Sequence, residues 1–302
     1  MDRKLFLRQL GLLSAGVFAA PSLLKNIRFE GPFYEIRNNL GYFSMRGGTI
    51  GWFVTEDTVV AIDSQYADTA AQFLEGVADY GSGPARVLFN THHHGDHVSG
   101  NGTFASENYQ VIAHENVPEL QRRQAEARGT LDEMTAAEIT FSEEYVMSPG
   151  METIRAKYYG NAHTAGDSVI WFENANVAHM GDLIFNRLYP FIDRDGGASI
   201  EGWINLLETV ADEGDTETVY IFGHGNPEFG VTGNRDDILY MRDFLTHILD
   251  FTASEIAAGK SREEILETTS FDLFPDHLSP SDFLSLPRNL DVAYRELTEE
   301  NQ

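Results

Sequence analysis

No cysteine occurs in the 302-residue chain, so neither a disulfide nor a thiolate metal ligand is available to it. Basic residues are scarce: 21 Lys and Arg stand against 47 Asp and Glu, a formal net charge of −26. The acidic residues are spread along the chain rather than gathered in a tail. A surface of that sign repels a phosphate backbone, which argues against a nucleic-acid partner and against phosphodiester cleavage on DNA or RNA. Its ordinary consequence is solubility. The apolar run Leu10 to Ala20 is too short to span a bilayer, and no internal repeat or low-complexity linker breaks the chain. What is present in normal measure is apolar content, 42%, enough for a substantial core.

The first residues are nevertheless patterned. A basic start (Arg3, Lys4, Arg8) precedes the apolar run, which ends before Pro21. The series Arg3-Lys4-x-Phe6-Leu7-Arg8 resembles a twin-arginine export signal in its Arg-Lys variant, with Val17-Phe18-Ala19 as a cleavage site. The expectation is a signal peptide over 1–20 and a periplasmic or secreted protein with no stable membrane anchor after cleavage. The alternative is an amphipathic first helix packed on the domain.

The most informative stretch is Thr91-His92-His93-His94-Gly95-Asp96-His97. It follows Arg86 to Asn90, a strand-like run, so its imidazoles fall on a loop at a strand's carboxyl end, where open α/β folds place their chemistry. His92 and His94, two apart, point the same way on an extended chain. Asp96 and His97 turn toward a second point. One metal fits such a pattern; two suit it better. Imidazole nitrogens with few carboxylates and no thiolate favour zinc, with iron or manganese as alternatives.

Further strand-like runs lie at 33–37, 41–45, 51–54, 58–63, 110–113, 153–158, 168–172, 176–180 and 218–222. Asp68 is placed to cap a helix carrying Ala71, Phe73, Leu74 and Val77, and Ser199 one carrying Trp203, Leu206, Leu207 and Val210. Segment 117–140 reads as a peripheral helix pair or lid. Apolar residues from Ile238 to Ile256 keep helix spacing as far as Gly259, and Ser261-Arg262-Glu263-Glu264 is a capping box. One α/β domain over 27–302, helical in its part 235–302, is expected. The strand ends after 158, 180 and 222 each deliver a further metal-ligand type beside glycine: His163, Asp182 and His224.

These motifs together, H-x-H-x-D-H at 92–97, H-T-x-G-D at 163–167, G-D at 181–182 and G-H-G at 223–225, resemble the metallo-β-lactamase-fold hydrolases over residues 30–230. The resemblance implies a four-layer αβ/βα sandwich with the metals at one edge of two facing sheets. By matching position it implies a first metal on His92, His94 and His163, a second on Asp96, His97 and His224, and Asp182 bridging them. Asp at 182 departs from the β-lactamases with cysteine there and is the arrangement of the wider hydrolase group. The basic glutathione-binding residues of thioesterases of the glyoxalase II type are not found, and RNA-processing members carry a further domain for which there is no room.

The implied activity is zinc-dependent hydrolysis of an ester, thioester, lactone or amide of a small molecule, by a metal-bridging hydroxide formed from water whose pKa falls to about 7. Asp96 is then both ligand and catalytic residue, orienting the nucleophile or taking a proton. β-Lactam hydrolysis is one alternative and an iron-dependent redox reaction another. Asp63 and Asp167 are expected to hydrogen-bond ligand imidazoles or, alternatively, to cap a helix or turn. Arg187, Tyr189 and Arg194, on the loop after Asp182, are candidates for substrate contact, with loop packing and surface charge as the alternative. His93 is expected to point away from the ligands, His114 and His179 to be structural, His247 and His277 to lie on the surface, and Trp52 and Phe53 to pack in the core.

Overall fold

A computed structural model describes residues 32–299. The signal-like segment 1–20 lies outside the described residues.

Two sheets face each other. The first is formed by β1 (Phe33–Arg37), β2 (Leu40–Phe43), β3 (Ile50–Val54), β4 (Thr58–Ile62), β5 (Ala85–Phe89), β6 (Gln110–His114) and β7 (Ile139–Phe141), in that spatial order. The pairs up to β3–β4 are antiparallel and the rest parallel. The second runs from its edge strand β8 (Glu144–Met147) through β9 (Ile154–Tyr158), β10 (Ser168–Phe172) and β11 (Val177–His179). Its neighbours beyond β11, after the short β12 (Phe185–Asn186), are β13 (Val219–Ile221) and, past β14 (His224–Gly225), β15 (Thr232–Gly233). The small strands β12 and β14 pair with each other in parallel.

Strand alternation sorts the side chains into three apolar layers. Val60 and Ile62 of β4 face Ile170 and Phe172 of β10 across the gap between the sheets. Val59 and Ala61 point the other way, onto Ala70, Phe73 and Val77 of α1 (Ala67–Val77) and onto Phe104. That ring lies beyond the short α2 (Gly95–Val98), on α3 (Asn101–Ser106). On the far side Val169 and Trp171 meet α5 (Ile200–Glu213) through Trp203, Leu206, Leu207 and Val210; α4 (Val117–Arg128) lies in the β6–β7 connection. Behind α5 pack α6 (Arg235–Ala257) and, after α7 (Arg262–Ile265), α8 (Leu286–Glu299). The order helix, sheet, sheet, helix is the expected four-layer sandwich. Trp52 and Phe53 are core residues, on opposite faces of β3.

The local signals hold with small corrections. Ser199 accepts from Gly202 N and caps α5, while Ser261 and Glu264 close the capping box of α7. Asp68 does not cap α1: it sits in the first turn behind Tyr66 and pairs with Arg46. Segment 117–140 holds one helix, a short 3-10 turn and the start of β7, not a helix pair, because Gly129 takes a left-handed conformation (φ 70°) and ends α4. His277 and His247, expected on the surface, are half-buried. His277 stacks on Phe244 and Tyr240, and His247 packs on Phe271, where two helical segments need flat rings to fill the gap. Among the described residues no helix is long and apolar enough to cross a membrane.

Candidate metal centre

The carboxyl ends of β5, β9, β11 and β13 all meet at one edge of the two sheets, and the loops leaving them carry the polar cluster. On the β5 loop the chain stays extended through His94 (φ −66°, ψ 147°) and then turns into α2, which separates His92 and His94 from Asp96 and His97. Two groups of donors result. His92 Nε2 lies 3.0 Å from His94 Nδ1, and His163 Nε2 lies 3.0 Å from the same atom. Asp182 Oδ2 completes this group, 3.8 Å from His92 Nε2 and 3.7 Å from His163 Nε2. In the other, Asp96 Oδ2 is 3.1 Å from His224 Nε2, and Asp182 Oδ1 is 3.0 Å from His97 Nε2 and 3.4 Å from His224 Nε2. The two oxygens of Asp182 thus face different groups.

Hydrogen bonds from behind fix which ring nitrogen is bare, because carboxylates and carbonyls only accept. His97 Nδ1 donates to Asp63 Oδ2 at 2.7 Å, His163 Nδ1 to the Phe191 carbonyl at 2.8 Å, and His94 Nε2 to Asp193 Oδ2 at 2.9 Å. His92 Nδ1 donates to Thr91 Oγ1 (3.0 Å), whose hydroxyl donates on to Asp63 Oδ2 (2.7 Å). Asp63 also accepts from Thr91 N and holds a left-handed backbone (φ 64°), strain of the kind that collects at functional sites. Every inward-facing imidazole nitrogen of the first group is therefore a lone pair.

Lone pairs 3.0 Å apart repel unless a cation lies between them. Nitrogens bound at 2.0–2.1 Å around a tetrahedral ion stand about 3.3 Å apart, so the spacing fits. Asp182 Oδ1, buried and without a well-aligned hydrogen bond, is the orphaned acceptor that such a cation would satisfy. His92, His94, His163 and Asp182 could hold one metal ion, and Asp96, His97 and His224 with Asp182 another.

The two groups differ electrostatically. Burial, reinforced by neighbouring imidazoles, drives His92 well below the ordinary histidine range and His163 to about 3, so both are neutral. In the second group burial opposes charge but loses to the carboxylates: His224 rises to about 9 and His97 well above its usual range through Asp182 and Asp96. Burial likewise fails to keep Asp96 protonated; His97 and His224 bring it to about 2.

Glycines let the loops close in. A Cβ on Gly48 would lie 2.1 Å from the His97 ring, and one on Gly223 would lie 2.0 Å from Asp182 Oδ1.

All seven expected ligands thus converge, and Asp63 reaches His97. Asp167 does not touch an imidazole. Its carboxylate accepts from Thr164 N and Oγ1 and so braces the turn after His163, because the Phe191 carbonyl already takes His163 Nδ1. His93 points away from the ligands, but into the protein rather than solvent, with Nε2 3.4 Å from Asp193 Oδ2. His114 and His179 are satisfied structural histidines, bonded to Ser142 O and Thr49 O.

The loop after Asp182 places its three candidates apart from the donors. Arg187 pairs with Asp237 and lies over the Tyr240 ring, Tyr189 is buried against Phe244, and Arg194 is committed to Ala198 O and Glu296. Sequence reasoning missed Asp193 and Thr91. Thr91 immediately precedes the first ligand, and Asp193 was visible only as an acid on the loop after Asp182.

A family model described as the metallo-beta-lactamase superfamily matches residues 46–224. The 2,4-dinitroanisole O-demethylase subunit alpha of Nocardioides sp. (strain JS1661) is 25% identical over 167 residues, 51% of this chain and 49% of that one. Metallo-beta-lactamase IND-1 of Chryseobacterium indologenes is 23% identical over 214 residues, 68% and 85% of the two chains. Among solved structures, the stereoselective inverting sec-alkylsulfatase Pisa1 from Pseudomonas sp. superposes with a TM-score of 0.70 at 14% identity, over 89% of this chain and 50% of its own. A metallo-beta-lactamase from Pontibacter korlensis gives 0.55 at 16% identity, over 71% and 98%. The chain spans about half the length of the demethylase subunit and of the sulfatase. A family match across more than half of the sequence, on the fold and the side chains just described, means that this chain belongs to the metallo-beta-lactamase superfamily.

Proposed function

We propose that the protein is a metal-dependent hydrolase, holding two zinc ions, that cleaves a carbonyl-centred bond (an ester, thioester, lactone or amide) of a small molecule. The observation that carries this reading is Asp182, whose two oxygens address two separate donor groups. Bound there, a metal pair supplies Lewis acidity and a water acidic enough to ionise near neutral pH.

The chain's own residues set the rest. His92, His97 and His163 are fully buried, whereas the Asp96 and His224 side chains are 27% and 24% exposed, so substrate approaches from the Asp96–His224 side. There Asp96 Oδ2 is the carboxylate placed to accept the proton of the attacking water. The Asp182, Asp96 and Asp63 carboxylates offset the positive charge of the site and let an anionic product leave.

Asp96→Ala is expected to lower kcat by roughly 10²–10⁴-fold while metal remains on the histidine group of His92, His94 and His163. Full activity in that variant refutes the assignment. The substrate test is a panel of ester, thioester, lactone, β-lactam and secondary alkyl sulfate compounds on zinc-loaded protein.

The likeness to a β-lactamase over 68% of the chain favours β-lactam hydrolysis as the second reading, and nitrocefin turnover decides it. Stoichiometric iron with little zinc in protein purified from its native host would replace the hydrolase reading by a redox one. We also propose export through a twin-arginine-like signal into the periplasm, supported by the basic and apolar pattern of residues 1–20 and tested by N-terminal sequencing of the exported protein. A small-molecule substrate and no nucleic acid complete the proposal, consistent with the charge of −26.

A further inference from the structure

One side chain from the ligands lies a cavity that the metal chemistry does not use. The loop Pro190–Arg194 passes from the bridging carboxylate past His163 and His94, and on its way the Phe191 ring comes within 5.2 Å of His94 and 6.1 Å of His163, centroid to centroid. Phe191 also walls a cavity of about 150 Å³ between this loop and α8. On its other wall Phe283, from the turn preceding α8, packs on Phe191 with the rings tilted by 31° and their centroids 4.7 Å apart, and remains 52% exposed. The turn is seated firmly: Leu278 bridges to Leu188, with Leu278 N donating to Arg187 O and Tyr189 N to Leu278 O.

Charge in the cavity is unevenly committed. Arg194 is engaged with Glu296, Arg295 with Glu299, and Asp291 with Arg262. Asp193 is used by His93, His94 and Gly196 N. Arg288 lines the cavity and has no ion pair or hydrogen bond among the described residues. Arg288 is exposed and shares this lining with the two aromatic rings, and in a chain of charge −26 a guanidinium left without a carboxylate is available to an anion.

We propose that this cavity, behind His94 and His163 and away from the Asp96–His224 approach, is a binding site for an aryl or short alkyl group bearing one negative charge, with Phe191 and Phe283 packing the apolar part and Arg288 pairing the charge. A cavity of about this volume holds one benzene ring, so the size suits one ring, while most of the lining here is polar or charged. The proposal does not depend on the hydrolase reading, and its test is binding.

Zinc-loaded full-length protein is titrated calorimetrically with phenylacetate, 2-phenylethanol and acetate. Phenylacetate is expected to bind about tenfold more tightly than either fragment. Arg288→Gln should weaken phenylacetate about tenfold and leave 2-phenylethanol unchanged, whereas Phe283→Ala should weaken both. Arg295→Gln, at a paired arginine of the same cavity, should change neither beyond about twofold, and metal content should be equal in all variants. Phenylacetate binding that survives Arg288→Gln intact but disappears on chelation identifies the metals as its site and overturns the proposal. Equal losses in Arg288→Gln and Arg295→Gln overturn it as well, by reducing the effect to net charge. Failure of the hydrolysis panel leaves these titrations readable, so the two ideas fail separately.

Discussion

At the scale of single residues, the centre is organised by what stands behind each ligand. Asp193 is the clearest case: one carboxylate oxygen takes His94 Nε2 at 2.9 Å and approaches His93 Nε2 at 3.4 Å, and the other takes Gly196 N at 2.9 Å. The Asp193 carboxyl is held well below its usual range: burial opposes the charge, but the hydrogen bonds from His93 and His94 prevail. Removing it frees the His94 ring to rotate and to change tautomer. Asp193→Ala is therefore expected to weaken metal binding at the His92, His94 and His163 group by about 10–100-fold, read by competition with a chromophoric chelator. Asp193→Asn, which keeps an oxygen acceptor without the charge, should fall between. Wild-type affinity in the alanine variant would show that Phe191, Thr91 and Asp63 suffice. The inward-facing ligands were legible in the sequence because each motif is contiguous and flanked by glycine. Asp193 was not, since it finds His94 only once the loop after Asp182 has folded back across 99 residues of chain separation.

At the scale of elements, the site depends on backbones that touch. β13 delivers Gly223 against the turn after β11, with Gly223 N donating to Gly181 O at 2.7 Å and Thr49 N to Gly223 O at 3.0 Å. A methyl group at 223 would meet Asp182 Oδ1 at 2.0 Å and the Gly181 carbonyl carbon at 2.8 Å, neither of which can retreat. Gly223→Ala is expected to reduce bound metal from the proposed two ions to at most one per chain and activity by at least about a hundredfold; the same stoichiometry in variant and wild type by elemental analysis would contradict the geometry.

The helical part makes a different prediction. His277 is sandwiched on Phe244 and Tyr240, and burial, aided by Arg187, lowers its pKa to about 3. The folded protein keeps this ring neutral while the unfolded chain protonates it near 6.5. The unfolded state therefore binds the extra proton between those values, and stability falls as pH drops from 6.5 toward 3, by up to about 1.4 kcal/mol per pH unit from this group. His277→Phe should remove that slope and gain on the wild type as pH falls from 7 to 5, measured as urea midpoints; parallel pH curves for the two would sink it.

The main strands of both sheets could be read because they are buried runs with few polar interruptions. The edge strand β8, with exposed Val146, carried no such signal. His277 escaped because a histidine near prolines and acids looks like surface until the aromatic stack forms.

For the molecule as a whole, charge is the governing quantity. A net −26 attracts cations to the donor groups and repels anions, which leaves isolated guanidiniums such as Arg288 as the local exception. The same charge strains the folded state, because folding gathers 47 acids against 21 bases into a smaller volume. Raising KCl from about 0.01 to about 1 M shortens the screening length from about 30 to about 3 Å, which removes most of the repulsion between exposed carboxylates but little of the attraction inside the buried centre. The melting temperature of metal-loaded protein should therefore rise by several degrees across that range. Exposed pairs such as Arg46–Asp68 and Arg122–Glu119 are screened too, but each contributes only about 0–1 kcal/mol, too little to reverse the trend. Chelation then subtracts the binding free energy of the metals, about 2.7 kcal/mol for an ion present at a hundred times its dissociation constant, and should lower the melting temperature at every salt concentration. A flat or falling melting temperature with KCl would mean that local pairing, not net charge, dominates this surface.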